Sequence, residues 1–307
     1  TLHGALDLSG NFDFTGQALT LNAQLDSDGS VEITNAGTFT TIAAGDIIAD
    51  LGFTQNGAGT NSLAGNVTTT NTNISFLRAV TLTGPVQMTT DSLGGNITFS
   101  STVDGTAAAT ETLGLTAGTG NVTFSGLVGS TTTLGAVTIN SAANVTTNGL
   151  RAASFTQTAG TGTTTINTGA FDTTPQGIAT TDSVGVAINN DVITIYDSIH
   201  TTGNGVVTLT ADNGLLTFAS TGDIFADDAV TLTGSAGITT AGDITTTNDD
   251  VTFMSATTVA DDKVSFTPVI DGITIDTGAG LGSVTFKDML DGTLKLDLTA
   301  GTGNIDF

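Results

Sequence analysis

The stretch "AVTLTGSAGITTAGDITTTNDDVTF" at 229–253 decides the fold. Short apolar alternations begin at Val230, Ile238, Ile244 and Val251, and Gly, Asn or Asp separates each from the next. Each is long enough for a strand with two inward residues and too short for a helix. From Val230 to Val251 the text returns to its starting phrase, so one circuit has three strands and three turns.

That circuit repeats along the chain. "AVTLTG" occurs at 79–84 and 229–234, and Gly-x-apolar-Thr-Phe recurs as "GNITF" (95–99), "GNVTF" (120–124) and "GSVTF" (282–286). Three ladders of strand starts interleave in the last third. One is Val207, Val230, Val251, Ile273 and Leu294. The second is Leu216, Ile238, Val259 and Leu281. The third is Ile224, Ile244, Val264, Val284 and Ile305. An earlier ladder, Ile74, Ile97, Val122, Val145 and Ile166, has slightly longer steps. A common step of 20–23 residues with three corners predicts an all-β, parallel, right-handed β-helix, or β-solenoid, whose like residues stack coil on coil. A β-sandwich would require turns but not equivalent residues at this period. The expectation is a single solenoid domain over 1–307, with "VDGTAAATETLG" (103–114) as a loop leaving a corner and 170–200 as its least regular part.

Composition agrees. Among 307 residues there are 40 Gly, abundant Thr, three Pro and no Trp. Thr, Val, Ile and Phe favour extended chain, while Gly and Asn supply turns. The formal charge of −24, with only five Lys and Arg, excludes nucleic acid as a partner and disfavours an anionic membrane. With no cysteine, a disulfide framework and a Cys-based metal or redox centre are excluded. No apolar run reaches membrane-spanning length. The start at Thr1 reads as a processed product or an excised region.

Chemistry-bearing residues are few. Pectin-degrading enzymes use a β-helix with carboxylates and basic groups on one groove, and two carboxylates in a cleft suffice for glycoside hydrolysis. "NDD" at 248–250 offers acids, but Arg78 and Arg151 lie many coils away, His3 is terminal and His200 falls in the irregular stretch. No catalytic residues are assigned. A carbohydrate-active β-helix, with a groove near 170–200 or at the Asp corner, is the alternative function.

Alignment on Val230, Val251 and Ile273 puts Asp228, Asp249 and Asp271 each two residues upstream, stacked along one corner. Stacked carboxylates are an accessory Ca²⁺ candidate, since hard cations take oxygen ligands. They are equally what a corner needs, because Asp caps turns. No cofactor is required on this reading.

Asn-x-Thr/Ser occurs at Asn66, Asn73, Asn96, Asn121 and Asn144; such triplets are glycosylation acceptors in a secreted eukaryotic protein, but they also arise from Gly-Asn-apolar-Thr strand grammar. Threonine pairs such as Thr81/Thr83, Thr208/Thr210 and Thr231/Thr233 suggest an ice-binding face, yet the pairing breaks at "VTFM" (251–254) and "ITID" (273–276).

The grammar of "GTGNVTFSGLVGSTTTLGAVTINSAANVTTNG" (118–149) resembles the large repetitive β-helix surface proteins of bacteria, namely filamentous-haemagglutinin-type adhesins and autotransporter passenger regions. The resemblance implies export to the bacterial cell surface and a part in adhesion, matrix or surface layers, with a surface glycan or matrix as partner. An outer-membrane barrel series and an N-terminal secretion module are missing from the sequence, which suits a unit of a longer protein.

Both ends read as ordinary repeat strands. Leu6/Leu8 and Phe12/Phe14 alternate at the start, and Ile305 to Phe307 ends the last ladder in "LTAGTGNIDF" (298–307). An uncovered strand edge templates pairing. Leu6, Leu8, Phe12, Phe14, Ile305 and Phe307 are therefore the expected assembly edge, through head-to-tail self-stacking or continuation in the same polypeptide. The function expected is an extracellular structural or adhesive solenoid belonging to a surface fibre, not an enzyme.

Overall fold

The computed structural model describes residues 1–169, 171, 177–260 and 272–307. These residues form strands and turns with no helix, giving a parallel β-solenoid of about 13 turns. They divide into two compact units, Thr1–Ala153 and Ser154–Phe307.

In each unit a coil has three strands, one on each of three faces. The first unit starts with Leu6–Leu8, Phe12–Gly16 and Leu19–Leu21, and each pairs in parallel with its successor, Leu25–Ser27, Val31–Asn35 and Phe39–Thr41. In the second unit, Val207–Ala211, Leu216–Phe218 and Ile224–Ala226 pair with Val230–Gly234, Ile238–Thr240 and Ile244–Thr246. Most strands are three residues long, and most of those read buried, half-buried, buried. Two side chains point in and one points out, as a two-residue period dictates.

The expected ladder Ile74, Ile97, Val122, Val145 is present as successive Cα partners on the second face of the first unit. Its strands also bring Phe76, Phe99 and Phe124 into a stack, with ring centroids 5.7 and 5.3 Å apart and planes within 6°. The segment after Val103 leaves the third face as expected. Beyond Val103–Asp104 that face continues only as the bridges Val103 to Val128 and Val128 to Leu150.

In the second unit, Val207, Val230 and Val251 stack as the text predicts. The ladder then departs from it. Val251 pairs with Val284, not Ile273. Ile273 pairs with Leu296, and its strand lies on the Ile244 strand through Ile244 and Ile275. The second ladder keeps Leu216 on Ile238, but Val259 pairs with Thr240 and Leu281 is an exposed turn residue. On the third ladder, Ile224–Ile244 and Val284–Ile305 are real pairs on two different faces; Val264 lies outside the described residues. The coil from Val251 to Val284 contains residues 261–271, so it is one and a half repeats long. The text keeps its rhythm through that added length, and the ladders change places.

Some threonines are buried, and there they serve the corners. At several inward positions that end a strand, the hydroxyl closes the following corner: Thr69 donates to the Thr72 carbonyl at 2.6 Å, Thr201 to Gly205 at 2.5 Å and Thr277 to Gly282 at 2.7 Å, whereas the buried Thr180 hydroxyl has no partner among the described residues. The methyl fills the core while the oxygen satisfies backbone that would otherwise be buried unpaired.

Candidate functional site

The corner before the second face of the first unit has the most regular side-chain geometry. Asn73 Oδ1 accepts the Asn96 N–H at 2.8 Å, Asn96 Oδ1 accepts the Asn121 N–H at 2.9 Å, and Asn121 Oδ1 accepts the Asn144 N–H at 3.1 Å. Each carboxamide thus reaches the next coil. The Gly of "Gly-Asn" has its own cause: a Cβ on Gly95 would stand 2.0 Å from the Thr72 carbonyl oxygen, and one on Gly120 would stand 2.2 Å from that of Gly95. Close stacking of corners demands Gly, and the orphan N–H beside it demands Asn. Asn66 acts in the same way, accepting from the Gln87 N–H at 2.8 Å. Four of the five Asn-x-Thr/Ser asparagines thus bond the next coil through Oδ1.

Asp residues repeat this device. Asp46 accepts the Asn66 N–H, Asp223 the Asp243 N–H and Asp243 the Thr274 N–H, at 2.7–2.8 Å. The Asp corner expected to hold a cation has a different shape. Asp228 and Asp249 occupy equivalent places in adjacent coils, two residues before the paired Val230 and Val251. Because Val251 pairs with Val284, the third place falls to Gly282; Asp271 lies outside the described residues.

Asp227 accepts the Asn204 N–H, Asp228 the Ala229 N–H and Asp250 the Ser283 N–H. Asp249 is crowded without such a donor among the described residues. Burial, followed by the charges of Asp228, Asp250 and Asp227, pushes its carboxyl above the usual range. Among the described residues, no three acidic or His side chains converge as metal ligands.

Groups considered for catalysis are dispersed. His3 meets the Asn22 side chain at 3.4 Å, Arg78 Nε donates to the Gly57 carbonyl at 3.3 Å, and His200 packs edge-on against Phe225 with centroids 6.0 Å apart. Arg78 and Arg151 belong to the first unit, and Asn248, Asp249 and Asp250 to the second.

At the terminal coils, Leu6, Leu8, Phe12 and Phe14 are half-buried, whereas Val31, Ile33 and Leu25 in the next coil are fully buried. Ile305 is 40% and Phe307 79% exposed. Phe307 lies on Phe286, centroids 5.5 Å apart, and with Met289 and Leu290 they line a hollow of about 500 Å³.

One buried carboxylate carries no signal in the sequence. Glu111, 4% exposed, accepts from the Thr106 hydroxyl at 2.5 Å and from the Ala107 N–H at 3.2 Å, holding the 103–114 loop folded. Burial raises its carboxyl, but these hydrogen bonds outweigh it and hold the group below the usual range.

Compared with protein-family models, curated proteins and solved structures, the chain finds no match.

Proposed function

We propose that the chain is a non-enzymatic structural or adhesive solenoid of the bacterial cell surface, working outside the cell as part of a fibre. The observation that carries this reading is the extensibility of the ladders. Each coil presents the same two-in, one-out strands to the next, so another coil adds to the stack without rearranging the one beneath it. The Phe253–Phe286–Phe307 stack supports this reading: successive rings lie 4.7 and 5.5 Å apart, and Phe307 is largely exposed. Further coils come from a second copy head to tail or from the same polypeptide. A heterologous contact of that kind does not close, and so grows a filament. The outward faces of the fibre meet surface glycan or matrix. Ca²⁺ at Asp228 and Asp249 is accessory.

Sedimentation and electron microscopy of the 307-residue chain test the self-stacking branch. Linear oligomers that disappear in Phe307→Asp or Leu8→Asp are expected; monomers at every concentration contradict it. In parallel, release of reducing ends or unsaturated products from a panel of acidic polysaccharides would contradict a non-enzymatic role.

A further inference from the structure

The first and last coils share a text that no other coil has. "LDL" occurs only at 6–8 and 296–298, and Asn-apolar-Asp-Phe only as "NFDF" at 11–14 and "NIDF" at 304–307. In each coil the two phrases are consecutive strands, Leu6–Leu8 then Phe12–Gly16, and Leu296–Thr299 then Ile305–Asp306. One further strand position precedes them in both: Leu2, bridged to Leu21, in the first coil and Leu290–Gly292 in the last. The inward residues of these strands are half-buried or exposed, whereas those of the coils between are buried. A bare strand edge of this kind templates pairing.

The two edges also complete one hydrogen bond. Inside the stack, the N–H of Asn121 donates to Asn96 Oδ1 of the coil before it, each Asn standing just ahead of its strand. Asn304 has that place before Ile305, and its side chain makes no hydrogen bond among the described residues. Asn11 has it before Phe12. Its Oδ1 accepts the Ser30 N–H of the next coil at 3.1 Å, while its own N–H has no acceptor among the described residues. The last coil therefore carries the unused acceptor, and the first coil the unused donor, of the bond that joins interior corners.

We infer that the last coil of one copy takes the first coil of a second copy in a single register, with Leu6–Leu8 on Leu296–Leu298, Phe12–Phe14 on Ile305–Phe307 and Leu2 on Leu290. This rests on the fibre reading above and names its junction. Asn11 N–H then donates to Asn304 Oδ1 of the preceding copy, and Phe14 becomes the fourth ring of the Phe253–Phe286–Phe307 stack. Apolar side chains that both coils leave in water are covered together. Two features test the fit. Outward Asp7 and Asp13 fall beside Asp297 and Asp306, but Asp7 and Asp26, and Asp13 and Glu32, are already Cα partners within the chain. The corner from Leu298 to Ile305 is seven residues long and that from Leu8 to Phe12 four. Interior corners of unequal length stack too: Met88 to Ile97 is nine residues, Leu115 to Val122 seven, and both ends stay paired.

Single-cysteine chains test the register, since the parent chain has no cysteine. Positions 7, 13 and 306 are exposed, and partners ~4.8 Å apart lie within the ~4.4–6.8 Å reach of a disulfide. Asp13→Cys and Asp306→Cys, each checked for an unchanged melting temperature, are mixed where the parent chain sediments as oligomers and are mildly oxidised. A covalent dimer is expected, while Asp7→Cys mixed with Asp306→Cys should stay reduced. Oligomers without the 13–306 disulfide, or with 7–306 closing in its place, overturn this junction and leave the fibre reading standing. A parent chain that is monomeric at every concentration overturns the junction together with self-stacking.

Discussion

Asn96 Oδ1 accepts the backbone N–H of Asn121, one coil further on, at 2.9 Å. The same side-chain-to-next-coil bond joins Asn73 to Asn96 and Asn121 to Asn144, so the corner is hydrogen-bonded along the stack much as the strands are. Asn96→Ala leaves the Asn121 N–H without its acceptor and should cost about 1 kcal/mol, the net worth of one such bond. Asn96→Asp keeps an acceptor in place and should cost less. Paired denaturant titrations check the order; equal losses would mean that the oxygen is not what matters.

The stack of Phe76, Phe99 and Phe124 gives a second expectation. Phe99 is fully buried between two near-parallel rings, so Phe99→Ala should destabilise by ~3–5 kcal/mol through lost transfer energy and an unfilled cavity. Phe307 is mostly exposed, and Phe307→Ala should shift the melting temperature far less. Comparable shifts would contradict the packing.

Glu111 sets a pH dependence with a definite sign. Its folded carboxyl lies below the ordinary value of 4.5. The stabilisation it contributes is therefore fully present above that value and is lost as pH falls through the lower, folded one. Glu111→Gln should flatten this acid limb and expose the 103–114 loop to proteolysis at neutral pH. An acid limb identical to that of the parent chain would show that the loop does not depend on the carboxylate.

Asp249 has the opposite sign. Its raised carboxyl makes the ionised form unfavourable in the folded chain, so a penalty is present at neutral pH and is relieved as pH falls through the folded value. Asp249→Asn should raise the melting temperature at neutral pH and have little effect in acid. Chelator should leave the parent chain's melting temperature unchanged, since no three acidic or His side chains converge there as metal ligands among the described residues. A fall on chelation that disappears in Asp249→Asn would establish a cation at this corner.

Much of the fold was legible because stacking repeats residue types. Val207, Val230 and Val251 carry their register in the text, as do Ile74, Ile97, Val122 and Val145. The ladders part from the text between Val251 and its Cα partner Val284, which stand further apart in the sequence than one repeat. "GITI" and "SVTF" are equally good strands, and periodicity alone cannot tell whether Ile273 or Val284 lies on Val251. Only the pairing of whole strands separates them. The corner chemistry was half legible: Asn and Asp marked the turns, but whether a side chain caps its own turn or the next coil depends on strand separation, which a sequence does not display. Glu111 gave no signal, since a lone Glu in a polar loop reads as exposed.

The central claim is that register, and the absence of native cysteine makes it directly measurable. Thr252 and Thr285 are outward Cα partners in adjacent coils, whereas the 21–22-residue rhythm of the sequence would pair Thr252 with Thr274. Parallel partners ~4.8 Å apart fall within the reach of a disulfide, for which Cα atoms stand ~4.4–6.8 Å apart. Under mild oxidation, Thr252→Cys/Thr285→Cys should close a disulfide rapidly and Thr252→Cys/Thr274→Cys should stay reduced. Rapid closure of the second pair, with the first remaining open, would contradict the account.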